Sequence, residues 1–109
     1  MPGDICLITT TLDDEQKARH LARSLVEQHL AACVQTLPNL RSCYRWQGKV
    51  EEVSEFLVQI KTTPAQGDAV MRWLARHHPY ELAEIVRFDA EASEAYAAWV
   101  EGSVADPET

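Results

Sequence analysis

No stretch of the 109 residues stays apolar for anything near the ~20 positions that a membrane-spanning helix requires. The opening Met1-Pro2-Gly3-Asp4 has no basic segment leading into an apolar one, so a secretory leader is not expected. Cysteine is scarce as well. Cys6, Cys33 and Cys43 form no CxxC pair, and three of them suit a reducing compartment better than a disulfide framework. Cytoplasm is the expected location, with no membrane partner. Lys and Arg number only 10 against 17 Asp and Glu, a formal net charge of −7. Nucleic-acid affinity rests largely on clustered cations, so nucleic acid is not an expected partner. An acidic chain instead exerts a mild long-range pull on divalent cations.

Glycine is sparse and scattered. Gly48 and Gly67 stand alone, so no glycine-rich loop is available to cradle phosphate. The segment Thr9-Thr10-Thr11-Leu12-Asp13-Asp14 is acidic and lacks Gly and Arg, unlike the anion-binding loop that acyl-phosphate hydrolysis needs. No serine or cysteine has a visible base partner, so no catalytic residue and no organic cofactor are expected.

What the chain does contain is a clear alternation of periods. Ile5-Cys6-Leu7-Ile8 reads as a central strand buried on both faces. Asp13 with Gln16 predicts an N-cap and capping box. Ala18, Leu21, Ala22, Leu25 and Val26 then recur at helical spacing, which predicts a helix from Asp14 to His29. From Ala32 to Thr63 the period becomes two. Leu40, Tyr44 and Trp46 share one side of a strand, Pro38-Asn39 marks a bulge, and Gln47-Gly48 is a two-residue turn. The return strand sets Phe56, Val58 and Ile60 on one face and Glu55, Gln59 and Lys61 on the other. Its arms of ~12–15 residues exceed the usual length of 5–6. Such a hairpin would project beyond the globule.

Pro64 opens a second helix with Val70, Trp73, Leu74 and His77 on one face, and Glu84 to Asp89 reads as a last core strand. Ser93 caps a third helix with Tyr96, Trp99 and Val100 in its stripe, and residues 105–109 read as a frayed tail. The order strand, helix, strand, strand, helix, strand, helix predicts an α+β, ferredoxin-like βαββαβ sandwich with a long β2–β3 hairpin and an extra C-terminal helix. One domain over residues 1–109 is expected, ordered from about 4 to 104. An RNA-binding RRM shares this topology. Its third strand needs stacked aromatics with basic flanks, whereas Glu55-Phe56-Leu57-Val58-Gln59-Ile60 has one aromatic and a negative charge.

Two constellations bear on function. His77-His78-Pro79-Tyr80-Glu81, with Glu84 close behind, places two imidazoles and two carboxylates at a helix end that Pro79 terminates. Imidazole is the commonest metal-ligating side chain, so the corner is a candidate cation site. His77 falls on the helix's apolar face and is expected to be partly buried. Neighbouring helical residues diverge by ~100°, so the pair converges on one ion only if the helix ends between them. The second constellation is Tyr44 and Trp46 near the hairpin tip. Large rings there would form an exposed apolar patch of a kind monomers rarely carry, which predicts burial against another subunit.

Several segments together resemble the CutA divalent-cation-tolerance family. They are Leu30-Ala31-Ala32-Cys33-Val34, Tyr44-Arg45-Trp46-Gln47-Gly48-Lys49-Val50-Glu51, Lys61-Thr62-Thr63 and His77-His78-Pro79-Tyr80-Glu81 with Glu84-Ile85, covering roughly Ile5 to Val104. The resemblance implies a homotrimer akin to the PII signalling proteins, with Tyr44 and Trp46 at the subunit interface. It also implies binding of copper or another divalent cation. The family's copper ligands are two adjacent histidines, matching His77 and His78, and a first-strand cysteine whose position here is Thr9, a poorer soft-metal ligand. Inter-subunit clefts like those of PII proteins would draw on Cys33, Trp46, Lys49, Glu51, Tyr80 and Glu84, offering a small-molecule site as the alternative function.

Overall fold

The structure, a computed structural model, describes residues 1–105; the tail expected at the C-terminus lies outside the described residues apart from Ala105. Four strands form one antiparallel sheet: β1 (Gly3–Leu12), β2 (Cys33–Trp46), β3 (Lys49–Thr62) and β4 (Val86–Ala92). Their spatial order is β2-β3-β1-β4, the ferredoxin-like arrangement. Helices α1 (Glu15–Glu27) and α2 (Gly67–His77) lie in the crossovers, and α3 (Glu94–Val104) follows β4. No described helix is long and apolar enough to cross a membrane.

Strand alternation sorts the core into two parts. Cys6, Ile8 and Leu12 of β1 point to one face with Val58 and Ile60 of β3, and meet Ala18, Leu21 and Leu25 of α1 and Val70 and Leu74 of α2. Ile5 points the other way, where Ala32, Val100 and Val104 close over it. The third helix therefore covers the opposite face of the sheet from the first two, rather than joining them in one layer. It covers only one end. Beyond it, register aligns Cys33, Lys61, Leu7 and Phe88 in one row across the sheet, and Gln35, Gln59, Thr9 and Val86 in the next. Leu37 and Leu57 follow. Phe88 is 50% exposed, Leu37 46% and Val86 40%. This half of the sheet is uncovered, and it mixes exposed apolar side chains with Lys61, Gln35, Gln59 and Thr9.

The hairpin is as long as its sequence predicts, each arm having 14 residues. Gln47 and Gly48 turn it with φ of 48° and 79°, the left-handed pair a two-residue loop needs. A register shift between Leu37 and Leu40, with Asn39 at φ 65°, is the predicted bulge. It exchanges the faces of β2. Beyond it, the pairs Leu40/Glu55, Ser42/Val53, Tyr44/Glu51 and Trp46/Lys49 continue the uncovered face of the sheet along the ribbon. The molecule is accordingly elongated, 48 × 28 × 22 Å.

Three local readings need correction. The cap of α1 is Asp14, whose carboxylate accepts the Lys17 amide, and the helix stops at Glu27 because His29 adopts a left-handed φ of 60°. The last strand starts at Val86 and is an edge strand, so Val86 and Phe88 are exposed rather than core. A 3-10 turn over Pro64–Gln66, capped by the Thr63 hydroxyl, precedes α2. Arg87 ties β4 to that turn through the Pro64 carbonyl and Asp68, and its guanidinium packs over Gly67, so a side chain at position 67 would have to displace the end of that arginine.

Candidate functional site

Where the hairpin leaves the sheet, it meets the end of β1 and the connection from α2 to β4. The three enclose a crevice of about 590 Å³. Thr11 lines it from β1 and Asp13 from just beyond that strand, Ser42, Cys43, Tyr44 and Trp46 from β2, Val53 and Glu55 from β3, and Tyr80, Glu81, Leu82 and Glu84 from the connection. Four carboxylates and two tyrosines face this space, and none of its lining residues is Lys, Arg or His.

The corner predicted from His77-His78-Pro79 holds the crevice together. Pro79 pushes His78 into extended backbone, φ −67° and ψ 139°, which ends α2 and turns the His78 ring inward. His78 Nε2–H donates to the Thr11 carbonyl at 2.9 Å, and its Nδ1 accepts the Tyr80 amide at 3.0 Å. The two rings meet edge-on with centroids 4.9 Å apart. Tyr80 in turn donates its hydroxyl to Glu55 Oε2 at 2.8 Å. A continuous hydrogen-bonded path thus joins β1, the α2 corner and β3. Burial first, and then the bond to Glu55, pushes the Tyr80 hydroxyl well above its ordinary value, so it remains a donor.

Burial also lowers the affinity of His78 for a proton, outweighing the upward pull of the Thr11 carbonyl and of the Glu55 and Asp13 carboxylates. A ring that resists protonation when folded accepts the proton more readily when unfolded. The linked stability is therefore complete above the unfolded value of 6.5 and is lost as pH falls below it. Melting temperature measured from roughly pH 8 down to pH 5 is expected to fall more steeply for the wild type than for His78→Gln, whose side chain does not titrate in that window. Parallel curves would show that this ring carries none of the acid sensitivity.

The expected ligands do not assemble on one ion in this arrangement. Both His78 nitrogens are occupied, one donating and one accepting. His77, expected to be partly buried, is exposed; it stacks on Trp73 with centroids 4.4 Å apart and donates Nδ1–H to the Trp73 carbonyl at 2.9 Å, which leaves Nε2 open. Thr9 lies on the uncovered sheet face, and Cys6 is fully buried in the core. Among the described residues, no three or more His, Cys, Asp or Glu side chains converge as a metal-ligand set.

Of the residues expected at a cleft, Trp46, Tyr80 and Glu84 line the crevice, and Tyr44 joins them. Lys49 and Glu51 sit directly across the hairpin from Trp46 and Tyr44 on the same face. Cys33 lies at the far end of β2, opposite Lys61. Glu55 was missed. Simple alternation places it on a solvated face, yet it is only 6% exposed, because the bulge brings Leu40 opposite it and Tyr80 covers it. A carboxylate between Val53 and Phe56, within reach of a predicted bulge, was the available signal.

The family model for the CutA1 divalent ion tolerance protein matches residues 6–103. The chain belongs to the CutA1 family. Protein CutA of Mus musculus is 39% identical over 101 residues, 92% of this chain and 57% of that protein. The divalent-cation tolerance protein CutA of Thermus thermophilus is 40% identical over 95 residues, 86% and 92% of the two chains. The chain thus spans a little over half the length of the mouse relative. Among solved structures, CutA from Synechococcus elongatus superposes with a TM-score of 0.91 at 39% identity, covering 96% of this chain and 95% of that one. A second CutA structure from the same organism, complexed with a Bis-Tris molecule, has a TM-score of 0.86 at 38% identity, covering 94% and 97%. The α+β fold with its long hairpin is therefore a CutA fold.

Proposed function

We propose that this chain is the subunit of a homotrimeric, non-catalytic binding protein of the cytoplasm that takes part in divalent-metal tolerance. The observation that carries the reading is the set of exposed apolar side chains on the uncovered face, from Phe88, Val86 and Leu37 onto the hairpin, where Tyr44 is 43% and Trp46 37% exposed. Burying one large apolar side chain contributes about 1.5–3 kcal/mol, so several together drive association. The free edge of the 14-residue β2 strand adds unpaired backbone groups that a neighbouring copy satisfies. A closed ring covers the same face in every copy, whereas an open chain leaves one bare at its end. Three copies are what the family resemblance implies.

Copper or another divalent cation is the proposed cargo. His77 Nε2, on the outer side of the corner, is the proposed imidazole donor, while Asp13, Glu81 and Glu84 offer carboxylate oxygens in the separate crevice. Imidazole suits copper, whereas carboxylates favour harder ions. Cu(II) titrated calorimetrically into wild type, His77→Ala and His78→Ala is expected to lose its heat only in His77→Ala. Equal heats from all three would remove this corner as the copper site.

The crevice itself favours a second reading, a PII-like regulator that binds a small molecule between subunits. Its volume suits such a ligand. The Synechococcus elongatus relative complexed with Bis-Tris supports small-molecule binding by a protein of this fold.

A further inference from the structure

In a chain of net charge −7, the outer layer of α1 and α2 is the exception. Residues 16–26 and 69–79 contain no Asp or Glu, yet they hold Lys17, Arg19, Arg23, Arg72 and Arg76, five of the ten Lys and Arg. Among the described residues only Arg23 of these five makes an ion pair, with Glu27 in the next turn. The acids near these cations, Asp14, Glu15, Glu27 and Asp68, lie at the ends of the two helices.

This basic layer contains a cavity of about 540 Å³ between the two helices. Leu21, Trp73 and Pro79 form its apolar walls, and the His77 ring stacks face to face on Trp73, 4.4 Å between centroids and 24° between planes, so the two rings make one aromatic wall. Gln16, Lys17 and His20 supply the polar groups, all able to donate hydrogen bonds. No carboxylate lines it. A concave, largely apolar site of several hundred Å³ with a few convergent polar groups is the usual form of a small-molecule site. Flat ring walls select a flat ligand, and one unopposed ammonium selects a single negative charge.

We propose that the cavity between α1 and α2 binds an aromatic monocarboxylate of one or two rings, its ring against Trp73 and His77 and its carboxylate held by Lys17 with Gln16 and His20. This site is separate from the carboxylate-lined crevice and shares only His77 with the proposed copper corner, so its test is run without metal. The two prefer ligands of opposite charge.

The test uses 2-naphthoate as the probe, titrated calorimetrically into the full chain in metal-free buffer. Saturable binding to the wild type is expected, weakened about three- to fivefold in Lys17→Gln, the upper part of the range for loss of one exposed charge contact. Lys17 is exposed and glutamine is a good helix former, so the variant keeps its fold. The uncharged 2-naphthamide is expected to bind the wild type as weakly as naphthoate binds Lys17→Gln. Arg45→Gln, on the distant hairpin, is expected to bind naphthoate like the wild type. Equal naphthoate affinity in wild type and Lys17→Gln, equal affinity for acid and amide, or no saturation up to about 1 mM would each overturn the proposal.

Discussion

Phe88→Asp is expected to release the chain as folded single subunits of 12.3 kDa. Phe88 closes the row that Cys33, Lys61 and Leu7 begin, and half of its surface is open in the protomer. An aspartate there stays hydrated in the isolated subunit, so folding is little affected. In the assembly the same carboxylate loses its water against a neighbour's apolar face, at several kcal/mol for each charge. The buried phenyl ring's contribution of about 1.5–3 kcal/mol disappears as well. Both losses repeat in every copy. Val50→Asp is the control, because Val50 pairs with Arg45 on the other side of the ribbon and is 65% exposed. That variant is expected to remain assembled. Light scattering with circular dichroism separates dissociation from unfolding, and a Phe88→Asp protein of wild-type mass would move the interface elsewhere.

Tyr80→Phe is expected to cost about 2–3 kcal/mol, the range for stranding a buried charged acceptor without its donor. The Tyr80 hydroxyl is the only side-chain hydrogen-bond partner of Glu55 among the described residues, and that carboxylate is 6% exposed. Phenylalanine preserves the ring against His78 and removes only the donor. Chemical denaturation at neutral pH measures the loss. A variant as stable as the wild type at neutral pH would mean that water replaces the hydroxyl and that Glu55 is less enclosed than its burial indicates.

The difference between what the sequence disclosed and what it concealed has a physical pattern. Signals confined to a few residues held: Ala18, Leu21 and Leu25 of the α1 stripe (though not Val26, which is exposed), the Gln47-Gly48 turn, the bulge at Pro38-Asn39 and the Ser93 cap of α3. Each is fixed by the local backbone. Properties set by distant neighbours were not visible. Glu55 is buried because Tyr80, 25 residues away, covers it. Val86 and Phe88 look like core residues until the strand order places β4 at an edge. His77 and His78 look like a chelating pair, but Thr11, 67 residues before His78, determines where that ring points. The family resemblance identified the fold and the hairpin correctly, since both depend on segments spread along most of the chain. It did not reveal that the His78 nitrogens are already engaged.

The crevice was only half visible for the same physical cause. Tyr44, Trp46, Tyr80 and Glu84 stood out as large or charged groups at turns, where binding residues gather. Asp13 reads as a helix cap, Cys43 only as a cysteine without a CxxC partner, and nothing in the sequence marks Ser42. They line the space because the hairpin, the end of β1 and the loop after α2 meet at one place.

Self-association is the property on which the uncovered sheet face, the ribbon and the clefts all depend, and its direct measure is the mass of the unmodified chain in solution. Light scattering at micromolar concentration is expected to give three times the chain mass of 12.3 kDa. A value of one chain mass would leave Phe88, Tyr44 and Trp46 at rest in water, and would contradict both the interface and any cleft between subunits.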